Sequence, residues 1–180
     1  MGIADEIHLH PAPYSLTTRR TLVFFLTGNP GLIEYYRTFL THLYDLLRIQ
    51  DSRNDLHIYG ASLTGFEVGH NPSKPTWEGK VLPLNLDEQI DSTFARLTTV
   101  VDQINESSDG KDEPLPVVLV GHSVGAYMLL EIIARWQRMQ DAVQDGWQLK
   151  IVGGICLFPT VVDIAQSPTG RKMAVRVWHH

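Results

Sequence analysis

The sequence predicts an α/β fold, with a mostly parallel sheet carrying helices on both faces. Three observations lead there. Apolar runs of strand length recur along the chain, at Thr21–Thr27, His57–Ala61, Val117–Val120 and Ile151–Pro159. Stretches of helical period separate them. The strand-like runs are apolar almost throughout rather than alternating, the pattern of strands covered on both sides. Alternation of strand and helix is the signature of parallel crossover units.

The chain has 180 residues, enough for one domain over 1–180 with a sizeable core. Hydrophobic residues make up 43% and charged residues 19%, as in globular proteins. A net charge of −5 provides no basic field, which argues against a nucleic-acid partner. Cys156 is the only cysteine, so no internal disulfide forms. The first six residues lack the basic-then-apolar pattern of a secretory signal. No apolar run approaches the roughly 20 residues of a membrane-spanning helix.

In chain order, Ile7-His8-Leu9-His10 alternates and predicts an edge strand, ended by Pro11 and Pro13. His8 and His10 are spaced as in some metal sites, but without a third ligand nearby they read as solvent-facing. Thr21–Thr27 is β-branched and aromatic and predicts a buried strand. It runs into Gly28-Asn29-Pro30-Gly31, a tight turn. An amphipathic helix follows over Ile33–Leu47, with Ile33, Tyr36, Phe39, Leu40, Leu43, Leu46 and Leu47 on its apolar stripe and His42 off it. Asp55–Ser62 is a strand. Leu63–Pro83, rich in Gly and Pro, reads as a long loop carrying Glu67, His70 and Trp77, with His70 exposed. Asn85 caps the next helix with Glu88 in the reciprocal position. Leu86, Ile90, Phe94, Leu97, Val101 and Ile104 form its buried face. After the Val117–Val120 strand, Tyr127, Leu130, Ile133 and Ala134 mark the core face of a third helix, and Ile151–Pro159 predicts a further buried strand.

The chemistry concentrates where the Val117–Val120 strand meets that helix, at Gly121-His122-Ser123-Val124-Gly125. Gly-x-Ser-x-Gly between a strand and a helix is the setting of a nucleophile elbow. Two glycines let strand and helix approach, and the strained turn lifts Ser123 Oγ clear of the sheet. The Val124 amide, in the first helical turn, faces the same space as an oxyanion donor. The Gly28–Gly31 turn is either an ordinary turn or the source of a second donor. In the latter case the Asn29 amide is the candidate, because Pro30 has no N–H and Gly28 reaches backbone angles closed to other residues. No His-x-x-x-His or comparable cluster is present, so neither metal nor cofactor is expected.

Three blocks resemble one family, the lipid droplet-associated hydrolases of the α/β-hydrolase superfamily. They are Gly28-Asn29-Pro30-Gly31 with Leu32-Ile33-Glu34-Tyr35-Tyr36, then Gly121-His122-Ser123-Val124-Gly125-Ala126-Tyr127, then Leu157-Phe158-Pro159-Thr160 with Ile164-Ala165 and Ser167-Pro168-Thr169-Gly170. The resemblance implies a serine ester hydrolase acting on lipid-like or sterol esters at lipid droplets or the endoplasmic reticulum. It carries over Ser123 as nucleophile, with the Asn29 and Val124 amides as oxyanion donors. In this fold the acid and histidine follow the serine on later strands. After Ser123 the chain offers Asp163, a weak candidate acid, and the terminal His179 and His180. His122 reads as packing rather than base. The expectation is therefore the N-terminal part of a hydrolase domain, lacking its last strands and poorly soluble through its open sheet edge. The competing reading is a catalytically inactive hydrolase-like module that binds lipid or a protein partner.

Overall fold

The computed structural model describes residues 5–10, 19–51, 54–68, 82, 84–106, 113–142 and 149–161. Among them, one sheet runs in the order β1-β3-β2-β4-β5. Its strands are β1 Glu6–Leu9, β2 Arg19–Leu26, β3 Asn54–Ala61, β4 Leu115–His122 and β5 Leu149–Leu157. β2, β3, β4 and β5 are parallel, and β1 lies antiparallel on the outer edge of β3, pairing Ile7 with Gly60. The edge strand, the parallel sheet and the alternation with helices are as the sequence predicts.

β2 is the centre. Its alternate residues point to opposite faces, and each face has its own core. Leu22, Phe24 and Leu26 pack with α2 (Leu86–Glu106) and α3 (Val124–Ala142), through Leu97, Val101, Met128 and Ile132. Val23 and Phe25 pack on the other face with Ile33, Leu40 and Tyr44, the last two from α1 (Arg37–Gln50). An eight-residue strand that is apolar on both sides is what this position requires.

The helix predicted from Ile33 begins as a short 3-10 helix, Ile33–Tyr36, and becomes α-helical only at Arg37. The narrower turn shifts the phase of the stripe. Leu40 and Tyr44 are buried, whereas Phe39 and Leu46 are exposed. His42 is exposed, as expected. The α2 cap forms as read: Glu88 N–H donates to Asn85 Oδ1 and Asn85 N–H to Glu88 Oε2, both at 3.0 Å. Leu86 is exposed, because it stands in the first turn before the helix reaches the core, and Val100 is buried instead. The start of the long loop is fastened to α2. The Gln89 side-chain amide pairs with both backbone groups of Thr64, and Arg96 donates to the Ser62 carbonyl at 2.8 Å. Glu67 lies 3.9 Å from Arg96. His70 and Trp77 are outside the described residues.

Two expectations need correction. The core face of α3 is Ala126, Met128, Leu129, Ile132 and Trp136; of the expected residues Tyr127 and Ile133 pack partly buried against it, while Leu130 is 43% exposed and Ala134 is exposed. The helix enters with Gly125 pressed against the β2 backbone. That contact sets the helical phase, and apolar residues on three sides of the helix left it undetermined in the sequence. β5 is not a buried strand. Val152 and Ile155 are about half exposed, because β5 is the sheet edge among the described residues.

β3 also brings a third histidine beside β1. His57 Nδ1 lies 3.1 Å from His8 Nε2, its ring stacks against His10, and its Nε2 is 3.5 Å from Asp55 Oδ1. His8 and His10 face solvent as read, but they have a neighbour that the local sequence does not reveal. Burial lowers the His57 pKa to about 4; His8 and His10 act in the same direction and Asp55 opposes them. Among the described residues, no group of three or more His, Cys, Asp or Glu is placed to hold a metal ion. No helix there is long and apolar enough to cross a membrane.

Candidate functional site

Ser123 alone separates β4, which ends at His122, from α3, which begins at Val124. Its φ is +54°, a left-handed conformation that costs a non-glycine residue roughly 1–2 kcal/mol. Three backbone bonds hold it there. Ser123 N–H donates to the Leu157 carbonyl at 2.9 Å, and the Ser123 carbonyl accepts from Ala126 N–H at 3.0 Å and Thr160 N–H at 3.3 Å. Ser123 Oγ is 3.4 Å from Thr160 Oγ1. The end of β5 therefore braces the turn.

The glycines around Ser123 are required by space. A Cβ on Gly121 would stand 2.6 Å from the Gly125 carbonyl carbon, and one on Gly125 would stand 2.6 Å from the Thr27 carbonyl oxygen. These are backbone atoms, which cannot step aside. Gly28 belongs to the same constellation. A Cβ there would lie 2.6 Å from His122 Nδ1 and 3.0 Å from Ser123 Cβ. Close approach explains this glycine. The special backbone angle expected at Gly28 occurs at Gly31 instead, where φ is +85°.

The loop's amides can be accounted for one by one. Gly28 N–H donates to Tyr36 Oη at 3.0 Å. Pro30 has no N–H. Gly31 N–H closes the turn on the Gly28 carbonyl at 2.7 Å. Of residues 28–31, that leaves the Asn29 N–H uncommitted, on an exposed residue next to Gly28. Val124 is the first residue of α3, and the first amides of a helix have no intrahelical acceptor.

Tyr36 does more than fill the apolar stripe. Its Oη is 2.9 Å from His122 Nδ1 as well as 3.0 Å from Gly28 N. His122 thus directs its Nδ1 at Tyr36. Sequence reading gave Tyr36 and Thr160 no polar role; the only signal available was a hydroxyl at each position. Among the described residues no carboxylate or imidazole is hydrogen-bonded to Ser123 Oγ. Asp163, His70, His179 and His180 lie outside the described residues.

A family model described as "Lipid-droplet associated hydrolase" matches residues 19–180. Proteins named "Lipid droplet-associated hydrolase" match from Gallus gallus (29% identity over 154 residues, 86% of this chain and 41% of the relative) and Drosophila melanogaster (30% over 156 residues, 85% and 43%). The Homo sapiens protein of that name is 27% identical over 164 residues, covering 87% of this chain and 43% of its own length. The chain therefore spans about two fifths of the length of the curated relatives it matches. The solved structure of ESTFA superposes with a TM-score of 0.48 at 8% identity, over 90% of this chain and 47% of that one. With its family model covering nearly all of the sequence, the chain belongs to the lipid-droplet associated hydrolase family.

Proposed function

We propose that the chain carries the nucleophile of a serine ester hydrolase acting on lipid-like esters, sterol esters among them, at the surface of lipid droplets or the endoplasmic reticulum. The observation that carries this reading is the seating of Gly28 directly against His122 and Ser123, with no room there for a side chain. A serine on a strained strand-to-helix turn, with a backbone amide loop in contact beside it, suits acyl transfer. Ser123 Oγ attacks the ester carbonyl, and the negative charge that develops on oxygen falls between the Asn29 and Val124 amides. A base must take the serine proton, and an acid must orient the base. Asp163 is the one acidic residue after β5 and is the candidate acid within this chain.

A second reading, a non-catalytic lipid- or partner-binding module, draws on the absence of an acid or imidazole at Ser123 Oγ among the described residues. One experiment separates the two. The chain is treated with a fluorophosphonate probe beside Ser123→Ala, and turnover is measured on p-nitrophenyl and sterol esters. Labelling confined to Ser123, with ester turnover that the Ala variant lacks, supports the hydrolase. Equal, slow reaction of both proteins supports the binding module.

A further inference from the structure

We infer that Tyr36 is the positioning residue of the oxyanion loop: its hydroxyl links the Gly28 amide to His122 Nδ1 and so holds Gly28, and the Asn29 amide that follows it, beside the Ser123 turn. The inference rests on the ester-hydrolase reading for its catalytic consequence, and on geometry alone for the link itself. Tyr36 Oη lies 3.0 Å from Gly28 N and 2.9 Å from His122 Nδ1. An amide nitrogen only donates, so Oη accepts from Gly28 and its own hydrogen is directed to Nδ1. His122 then offers a lone pair at Nδ1 and carries its proton on Nε2. The opposite tautomer would leave the phenolic hydrogen without an acceptor among the described residues.

The ring that carries this hydroxyl is fixed. It packs 4.7 Å from Phe25, which is buried at the end of β2, and 5.6 Å from His122, whose other side meets Phe158 at 6.1 Å. The 3-10 helix folds the chain back so that Tyr36 reaches the loop it has just left. One hydroxyl thus joins the two segments that must keep register at the site, the β2 loop and the β4 turn. It also removes Gly28 N–H as an oxyanion donor and leaves that role to Asn29.

Two measurements on folded protein test the inference. The first is amide hydrogen exchange at Gly28. Losing one hydrogen bond should speed it about fivefold in Tyr36→Phe. The second is fluorophosphonate labelling of Ser123. Loosening an oxyanion donor should lower the maximal inactivation rate about tenfold or more while leaving probe affinity unchanged. His122→Leu should match that loss. His122→Asn, whose Oδ1 can replace the Nδ1 lone pair, should recover most of the rate. The double variant Tyr36→Phe/His122→Leu should lose no more than either single change. Unchanged Gly28 exchange in Tyr36→Phe, or losses that multiply in the double variant, overturns the inference. If wild type fails to label while Gly28 exchange responds as described, the link stands and the ester-hydrolase reading falls.

Discussion

Gly125 lies directly beneath Thr27: a methyl group on its α-carbon would stand 2.6 Å from the Thr27 carbonyl oxygen. Helix α3 therefore touches the end of β2 backbone to backbone. Gly125→Ala must push the helix and Ser123 away from the sheet, at an expected cost of about 3 kcal/mol. Gly153 in β5 is the control, since a Cβ there meets nothing within 4 Å. Gly153→Ala should change stability by less than about 1 kcal/mol. Urea midpoints at constant slope measure both, and equal effects would mean that the close approach at Gly125 is not rigid.

Ser123→Ala should abolish labelling and lower any ester turnover by about 10³-fold or more. The left-handed backbone adds a stability prediction. Alanine at φ +54° keeps the strain, whereas glycine relieves it. Ser123→Gly should be more stable than Ser123→Ala by about 1 kcal/mol, read from denaturant unfolding. A less stable glycine variant would contradict the strained geometry.

The oxyanion assignment separates backbone from side chain at adjacent positions. Gly28→Ala drives a methyl toward His122 and Ser123 and should cost about 10²-fold in labelling rate or turnover. Asn29→Ala keeps the amide and should cost less than about threefold. Circular dichroism confirms that both are folded. Comparable losses would assign the role to the Asn29 side chain and remove it from the backbone.

His57 makes stability depend on pH. Its pKa falls from the ordinary 6.5 to about 4 in the fold, so the unfolded chain takes up the proton first. The contribution is fully present above pH 6.5 and is lost progressively as the pH falls toward 4. Solvent screening and coupling to His8 and His10 limit the loss to about 1–2 kcal/mol. His57→Gln should flatten that part of the profile, measured by urea unfolding between pH 7.5 and 4.5. An unaltered slope would place the titration elsewhere.

The reciprocal cap of α2 is worth about 1 kcal/mol. Asn85→Ala should lower stability by that amount and Glu88→Ala by less, while Asn85→Asp should be close to neutral. If Asn85→Ala leaves the urea midpoint unchanged, the exposed cap is not formed in solution.

Local chemistry is what the sequence expresses well. β2 and β4 are legible because a central parallel strand must be apolar on both sides, and the α2 cap because its two partners stand three residues apart. The α3 core face is legible only in part, at Tyr127 and Ile133: contact between Gly125 and β2 sets its phase, and that contact joins distant parts of the chain. β5 reads as buried by composition, but exposure depends on which strand is the sheet edge. At the site, Ser123 and its glycines announce themselves as a motif. The Tyr36 hydroxyl does not, since its partners are Gly28 and a histidine 86 positions on, and an aromatic at that spacing satisfies a core stripe equally well. His57 escaped notice beside His8 for the same reason.

The central place of β2 also dictates an order of assembly during synthesis. Leu22 pairs with His57 on one side and Val117 on the other. As the chain leaves the ribosome, β1, β2 and β3 emerge first; β3 can pair with β2 and β1 with β3, and a three-stranded precursor can form. The other edge of β2 then waits, hydrogen-bonding groups and apolar faces uncovered, until α2 and β4 have been translated. At ~5–20 residues per second that interval lasts several seconds. Ser123 acquires its geometry only when β4 inserts, so its turn is among the last features of this sheet to take shape.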